Sequence, residues 1–136
     1  MELRPIDLTG KRVLIVEDEL DNRAVPERVL AFYGAVVHTA EDGVDGLEKL
    51  DELHPDLILM DLSMPNMDGW QMLKAVRQNA RTASIPVIAV TAHAMQHDRK
   101  RVQEAGFDGY VPKPYILTEL LEEIERCIQL KTPEQG

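Results

Sequence analysis

Five short apolar runs alternate along the chain with stretches of helical periodicity. Three of these runs are apolar at every position rather than at alternate ones, which is typical of parallel strands covered by helices on both faces. The pattern predicts strands over Arg12 to Glu17, Ala35 to Thr39, Leu57 to Asp61, Val87 to Thr91 and Gly109 to Pro112. It therefore predicts a parallel sheet enclosed between layers of helix.

Helical periodicity fills the segments between the strands. The last helix shows the clearest apolar stripe, formed by Leu117, Leu120, Leu121, Ile124 and Ile128. The pair His54-Pro55 predicts the end of the second helix, and Gly106 predicts the end of the fourth. Pro26 lies inside the first helical pattern, at about residues 21–33, where proline removes a hydrogen bond. We therefore expect either a late start of this helix or a local kink.

Strict alternation of strand and helix indicates right-handed crossovers in one parallel sheet. Five strands and five helices predict an α/β fold of the flavodoxin-like doubly wound type, with strand order 2-1-3-4-5. Residues 11–130 would form this domain, between an N-terminal tail of residues 1–10 and a C-terminal tail of residues 131–136. Ligands of such folds bind beyond the carboxyl ends of the strands.

Charge and composition narrow the classes of partner. The chain has 136 residues and a formal net charge of −9, which repels nucleic acid and anionic membranes. Arg99, Lys100 and Arg101 are consecutive and point around a helix rather than along one face. No apolar run approaches the roughly 20 residues that span a bilayer, so we expect a cytoplasmic protein. The single Cys127, expected on the apolar face of the last helix, fits a reducing compartment.

Reactive side chains collect where the predicted strands end. Glu17 and Asp18 close the first strand, Asp61 the third and Thr91 the fourth, and Lys113 follows the fifth. Each alone carries little weight, since an acid after a strand is often only a helix cap. Placed together by the fold, the acids would repel one another unless a cation held them.

Carboxylate ligands without paired His or Cys favour a hard cation such as Mg²⁺. Transfer of a phosphoryl group needs chiefly positioning and neutralisation of the charge on its three equatorial oxygens. Mg²⁺, the Lys113 ammonium and the Thr91 hydroxyl would each serve one oxygen. The set of residues suits an acyl phosphate formed on Asp61.

The segment LILMDLSMPNMDGW resembles the phosphoacceptor segment of response-regulator receiver domains in two-component signalling. The pieces VLIVEDE, VIAVTAHA and GYVPKP agree in order and spacing, so the resemblance covers about residues 11–130. It departs from the common pattern in one place, where Glu17-Asp18 stands for two aspartates.

The resemblance implies a role for each motif residue. It makes Asp61 the phosphoacceptor, Asp18 a direct Mg²⁺ ligand and Glu17 an acid that acts through water. The remaining roles are the backbone carbonyl of Ser63 as a third protein ligand, Thr91 as the switch hydroxyl, Lys113 as the phosphate-binding lysine and Tyr110 as the aromatic switch. It also implies a cis bond between Lys113 and Pro114, and makes Ser63 and His93 positions that tune the lifetime of the acyl phosphate.

The expected function is that of a single-domain response regulator. A phosphohistidine of a histidine kinase or histidine phosphotransfer protein would be the donor, and phosphorylation-dependent binding of another protein would be the output. The expected contact residues are Arg99, Tyr110, Pro112 and Tyr115. The protein would be a monomer or a weak phosphorylation-dependent dimer, and it would not be an enzyme, since each round consumes it.

Three alternatives use the same fold differently. A receiver-like module that binds partners without phosphorylation would have lost an acid, the threonine or the lysine, and all are present. A Mg²⁺-dependent phosphohydrolase would need a general acid two residues after the nucleophile, where Ser63 stands. A flavodoxin would need a phosphate-binding loop after the first strand, where the sequence EDELDNR is acidic.

Overall fold

The computed structural model describes residues 6–92 and 96–131, without the side chains of residues 96–98 and 129–131. Its strands are β1 (Arg12–Val16), β2 (Val36–Ala40), β3 (Leu57–Met60), β4 (Val87–Thr91) and β5 (Gly109–Pro112). Its helices are α1 (Leu20–Phe32), α2 (Gly43–Leu53), α3 (Gly69–Gln78), α4 (Gln96–Ala105) and α5 (Leu117–Lys131).

The five strands form one parallel sheet in the order β2-β1-β3-β4-β5, which confirms the predicted fold class. The side chains of β3 and β4 are all buried, as are those of β1 after its first residue. Successive residues point to opposite faces, so Val13 and Ile15 join one core cluster while Leu14 and Val16 join the other. Helices cover both faces, which explains why these strands are apolar at every position.

The two central acids lie just beyond the strands predicted to contain them. β1 ends at Val16 and β3 at Met60, one residue earlier than predicted. The ladder still extends to the next residue, because the Glu17 N–H donates to the Ala40 carbonyl and the Asp61 N–H to the Val16 carbonyl. The backbone of both acids is therefore fixed by the sheet, while their side chains lie past its edge.

Helix ends follow the sequence signals except in α1. α2 ends at Leu53 and is followed by His54 in the left-handed conformation (φ 48°), and Gly106 (φ 107°) follows α4. α1 begins at Leu20, so the late start considered for it is wrong. Pro26 lies inside α1 with its ring buried, and this apolar contact offsets part of the lost hydrogen bond.

Two side chains of the last helix differ in their environment. Cys127 is fully buried, as predicted. Leu117, predicted to continue the apolar stripe, is 42% exposed and stands in the first turn of α5. The buried stripe therefore begins at Leu120.

Part of the segment assigned to an N-terminal tail packs on the domain. Leu8 is only 3% exposed, and its N–H donates to the Tyr33 carbonyl. The Gly10 N–H likewise donates to the Gly34 carbonyl. The domain thus includes residues 6–10, while residues 1–5 and 132–136 of the two expected tails lie outside the described residues. None of the helices in the described chain is both long enough and apolar enough to cross a bilayer.

Candidate functional site

Three carboxylates meet at the carboxyl edge of the sheet. β1 and β3 are neighbours with Val16 opposite Met60, so the residues that follow them come side by side. One carboxylate oxygen from each of Glu17, Asp18 and Asp61 lies within 4.8 Å of the others. Glu17 and Asp61 are buried and Asp18 is exposed, so the group opens to solvent on one side.

Lys113, which directly follows the outer strand β5, also reaches this group. Its Nζ lies 2.6 Å from Glu17 Oε1 and 3.6 Å from Asp61 Oδ2. The bond from Lys113 to Pro114 is cis, as expected, and the Lys113 N–H donates to the Thr91 carbonyl at the end of β4. Although burial lowers the pKa of the Lys113 ammonium, its hydrogen bond to Glu17 and the negative charges of Asp61 and Glu17 raise the pKa above its ordinary value. Lys113 therefore stays charged at neutral pH.

Backbone contacts orient the two buried carboxylates. The Ser63 N–H donates to Asp61 Oδ1 at 3.2 Å, and the Glu19 N–H donates to Glu17 Oε2 at 3.2 Å. Arg23 of α1 donates from Nη1 to the Glu17 carbonyl at 2.9 Å. Nothing in the sequence pattern singled out Arg23, because its contact is to a backbone atom across a loop.

The start of α3 packs directly on the backbone of Asp61. A Cβ on Gly69 would collide with the Asp61 carbonyl, and the Gly69 N–H donates to the Leu62 carbonyl. Asp68 and Gln71 form a reciprocal capping box at this helix end. The spacing D-x-x-Q is a known signal for such a box, so the sequence could have revealed it.

Thr91 and Tyr110 lie on adjacent strands behind the carboxylates. Thr91 is fully buried at the end of β4 and pairs with Pro112 of β5. Tyr110 is half-buried on β5, and its ring lies under the guanidinium of Arg99, with Cζ 5.0 Å from the ring centroid. The two predicted switch residues therefore lie on neighbouring strands, and Tyr110 contacts α4 through Arg99.

The four expected contact residues do not share one surface. Arg99, Tyr110 and Pro112 line a groove of about 370 Å³ between α4, β5 and α5. Tyr115 instead lines a separate opening beside Lys113 and α1. Burial raises the pKa of the Tyr115 hydroxyl, against the lowering effect of Lys113.

The basic triplet and the histidines offer no competing site within the described residues. Arg99 lies over Tyr110 and Arg101 over Trp70, with Cζ 4.5 Å from the ring centroid, so the triplet forms no single basic face. His38 and His54 are exposed. His93 lies outside the described residues, as does the side chain of His97.

The donor set fits a hard divalent cation. Three carboxylates supply oxygen atoms only, and these are the donors that Mg²⁺ accepts in proteins. Two of them are fixed by backbone hydrogen bonds.

The chain matches a known family over most of its length. The model of the response regulator receiver domain matches residues 13–125. The transcriptional regulatory protein PrrA of Mycobacterium tuberculosis is 37% identical over 122 residues, which are 90% of this chain and 52% of that protein. The sensor histidine kinase RcsC of Escherichia coli is 40% identical over 105 residues, 77% of this chain and 11% of the kinase. The chain spans about half the length of the regulators it matches.

Solved structures agree with this match. The chemotaxis regulator CheY4 of Vibrio cholerae is 29% identical with a TM-score of 0.82, covering 88% of this chain and 99% of its own. The receiver domain of a sensor histidine kinase from Pseudomonas aeruginosa is 33% identical with a TM-score of 0.81, covering 89% and 99%, and it has a magnesium ion coordinated in its active site cleft. With the fold, the acidic group and both comparisons in agreement, the chain belongs to the response regulator receiver domains of two-component systems.

Proposed function

We propose that this receiver accepts a phosphoryl group on Asp61, from a phosphohistidine of a histidine kinase or histidine phosphotransfer protein. The observation that carries the proposal is the meeting of three carboxylates within 4.8 Å, with the Lys113 ammonium 3.6 Å from Asp61. An Asp61 oxygen would attack the phosphorus while the bond from phosphorus to the donor imidazole nitrogen breaks. That nitrogen takes the electron pair, so the products are an aspartyl phosphate and a neutral imidazole after protonation.

The proposed metal ligands are Glu17, Asp18, Asp61 and the backbone carbonyl of Ser63, with Glu17 acting through water. Bound Mg²⁺ would supply neutralisation of the charge on the phosphoryl oxygens. Asp61 is held in place by the Ser63 N–H at Oδ1, which leaves Oδ2 facing Lys113. A phosphoryl oxygen on Asp61 could pair with the Lys113 ammonium, which already lies between two carboxylates.

The output would be a change in protein binding at the α4, β5 and α5 face. The Thr91 hydroxyl would turn towards the phosphoryl group, and Tyr110 would move into the vacated space. The two residues lie on paired strands, β4 and β5, which supports this coupling. Such a change shifts the population of two arrangements rather than building a new one. Receiver domains interact with histidine kinases and downstream targets in general. The partners of this chain, its state as a monomer or a weak phosphorylation-dependent dimer, and its cytoplasmic location stay predictions.

The test is the intact mass after incubation with Mg²⁺ and acetyl phosphate. We expect a gain of one phosphoryl group in the wild type, no gain with EDTA added beforehand, and no gain in Asp61→Asn. Asp68→Asn is the matched control, because it changes a nearby aspartate yet keeps a residue that caps α3. A gain that persisted in Asp61→Asn would refute the assigned acceptor.

A second measurement separates an inert site from a short-lived phosphate. Beryllofluoride forms a stable stand-in for the phosphoryl group on a competent aspartate. Binding of Mg²⁺ and beryllofluoride without a mass gain would indicate a competent site, with either a rapidly hydrolysed phosphate or a requirement for a kinase as the donor. Absence of both would support the phosphorylation-independent binding module instead.

A further inference from the structure

The loop that carries Asp61 and Ser63 into α3 is hydrogen-bonded to the segment between β2 and α2, at the same edge of the sheet. Asn66, in the middle of this loop, donates from Nδ2 to Asp42 Oδ2 at 2.7 Å. One residue further on, the Met67 carbonyl accepts from the Gly43 N–H at 3.1 Å. These contacts join residues 24 positions apart, and they tie the β3–α3 loop to the start of α2.

Both oxygens of Asp42 are in use. Oδ1 accepts from the Asp45 N–H at 2.8 Å and caps α2, while Oδ2 accepts from Asn66. Asp42 as a whole is only 7% exposed. The Asp45 N–H, and after it the Asn66 amide, hold the pKa of the Asp42 carboxyl below its ordinary value. Asp42 is thus an ionised acceptor with two fixed donors.

Both the start of α2 and the β3–α3 loop have a residue that suits this contact. A Cβ on Gly43 would lie 2.7 Å from the Met67 carbonyl oxygen, so only glycine lets the backbones approach. Asn66 has a φ of 66°, a conformation that asparagine tolerates better than most residues. Backbone and side chain therefore both favour this one placement of the loop.

We infer that Asp42 is a positioning residue for the metal site, which acts through Asn66 on the loop that presents the Ser63 carbonyl. This inference rests on the proposed function, because Ser63 is a proposed ligand. Mg²⁺ demands nearly ideal octahedral geometry at short distances, so a carbonyl on a loosened loop would bind it less well. Loss of groups that orient metal ligands commonly costs about tenfold or more in metal affinity.

The central test removes the hydrogen bond from Asn66 to Asp42, called the tether below, without straining the backbone. Asn66→Gly keeps the left-handed conformation available but deletes the amide that Asp42 accepts. Mg²⁺ titration would be followed by the fluorescence of Trp70, the single tryptophan, which directly follows Gly69 in the chain. The NMR shift of the Ser63 amide, which donates to Asp61, is the second readout. We expect the Kd for Mg²⁺ to rise about tenfold.

His54→Gly is the matched control. His54 is the other non-glycine residue with positive φ among the described residues, and it stands at the far end of α2. The same change of residue type there should leave the Kd for Mg²⁺ unaltered. An equal rise in both variants would overturn the inference, since it would reflect general loosening.

Variants of Asp42 separate the tether from the helix cap and from the charge. Asp42→Ser keeps a good cap but offers one oxygen, which the Asp45 N–H occupies, so Mg²⁺ affinity should fall as in Asn66→Gly. Asp42→Asn removes the charge yet can cap α2 and donate to a rotated Asn66 amide, so it should retain most of the affinity. The double variant of Asp42→Ser with Asn66→Gly should bind no worse than either single one.

The outcomes distinguish this inference from the proposed function. A wild-type Kd in Asn66→Gly, with phosphorylation of Asp61 intact, would overturn the tether and leave the acceptor role standing. Equal losses in Asp42→Asn and Asp42→Ser would assign the effect to charge and also overturn the tether. A wild-type protein that binds no Mg²⁺ would overturn both proposals.

Discussion

The acidic crevice and the α4 side of the same sheet are held in different ways. Glu17 and Asp61 directly follow buried strands, and both carboxylates accept backbone hydrogen bonds. In α4, among side chains 99–105, Val102 is the one that is buried. Arg99 and Arg101 stay exposed and contact the fold through the rings of Tyr110 and Trp70.

The difference matches what each region has to do. Group transfer depends on reacting atoms held at short and fixed distances. A surface that responds to phosphorylation needs two arrangements separated by a few kcal/mol. A cation over an aromatic ring at an exposed site contributes about 0.5–1 kcal/mol, which is small enough to be made and broken. The structure thus combines a fixed site with a loosely held neighbour.

Arg77 limits how far the α4 side can move. It donates to the carbonyls of Ala83 and Ile85 and to the Gly106 carbonyl just after α4. It also forms an ion pair with Asp108 Oδ2 at 2.8 Å, and this oxygen accepts from the Val87 N–H as well. The C-terminal end of α4 is therefore fixed, whatever the rest of the helix does.

Arg77→Ala should have the largest effect of the changes considered. It would remove the hydrogen bonds to three loop carbonyls and the ion pair with Asp108, so the free energy of unfolding should fall by about 2–3 kcal/mol. Urea denaturation measures the loss. Arg81→Ala, an exposed arginine in the following loop, is the control and should be nearly neutral. A neutral Arg77→Ala would mean that α4 is not anchored at this end.

Gly69→Ala tests the rigidity of the backbone around Asp61. The added Cβ would collide with the Asp61 carbonyl, so the backbone would have to shift. We expect a loss on the order of 2 kcal/mol in the free energy of unfolding, together with slower phosphorylation by acetyl phosphate. Lys74→Ala, at an exposed position of the same helix, should change neither quantity. Unchanged phosphorylation in Gly69→Ala would show that the crevice tolerates movement.

Arg101→Ala tests the looseness of α4. Loss of the contact with Trp70 should cost about 0.5–1 kcal/mol and change the tryptophan fluorescence. Hydrogen exchange should become faster in α4 but not in β1 or β3, because those strands do not depend on this contact. Lys100→Ala, exposed between the two arginines, should leave exchange in α4 as it was.

The smallest expected effect is a pH-dependent loss of stability at Glu123, on the α5 side of the groove between α4, β5 and α5. Burial raises the pKa of Glu123, but hydrogen bonds from Arg126 and from the Tyr110 N–H lower it more, so the net pKa is below the ordinary 4.5. Because its pKa is lower in the folded state, ionised Glu123 stabilises the fold fully above its ordinary pKa of 4.5. This contribution is lost as the pH falls through the pKa of the folded state.

The measurement compares Glu123→Gln with the wild type. The difference in free energy of unfolding should be full at neutral pH and should shrink as the pH falls below 4.5. Glu122→Gln, an exposed neighbour, should show no such trend. A difference that stayed constant with pH would mean that the charge of Glu123 does not matter there.

Much of the fold and the site followed from local pattern. Continuous apolar runs identified the three central strands, because burial on both faces removes the alternation of polar residues. The order of strand ends along the chain then brought Asp18, Asp61 and Lys113 to one edge. Arg23, Arg77 and Asn66 were missed, because each donates to an atom outside its own helix or loop. No local period marks such contacts.

The sequence by itself determined the parallel sheet, its order and the acids at its edge, since these depend on periodicity and on the geometry of crossovers. Only the tertiary structure decided that Leu8 belongs to the core, that α1 runs through Pro26 and that Leu117 is exposed. It alone paired Lys113 with Glu17 and Asn66 with Asp42. The physical reason is that burial and hydrogen bonding depend on what the folded chain brings near, and a neighbour distant in sequence can outweigh a local preference.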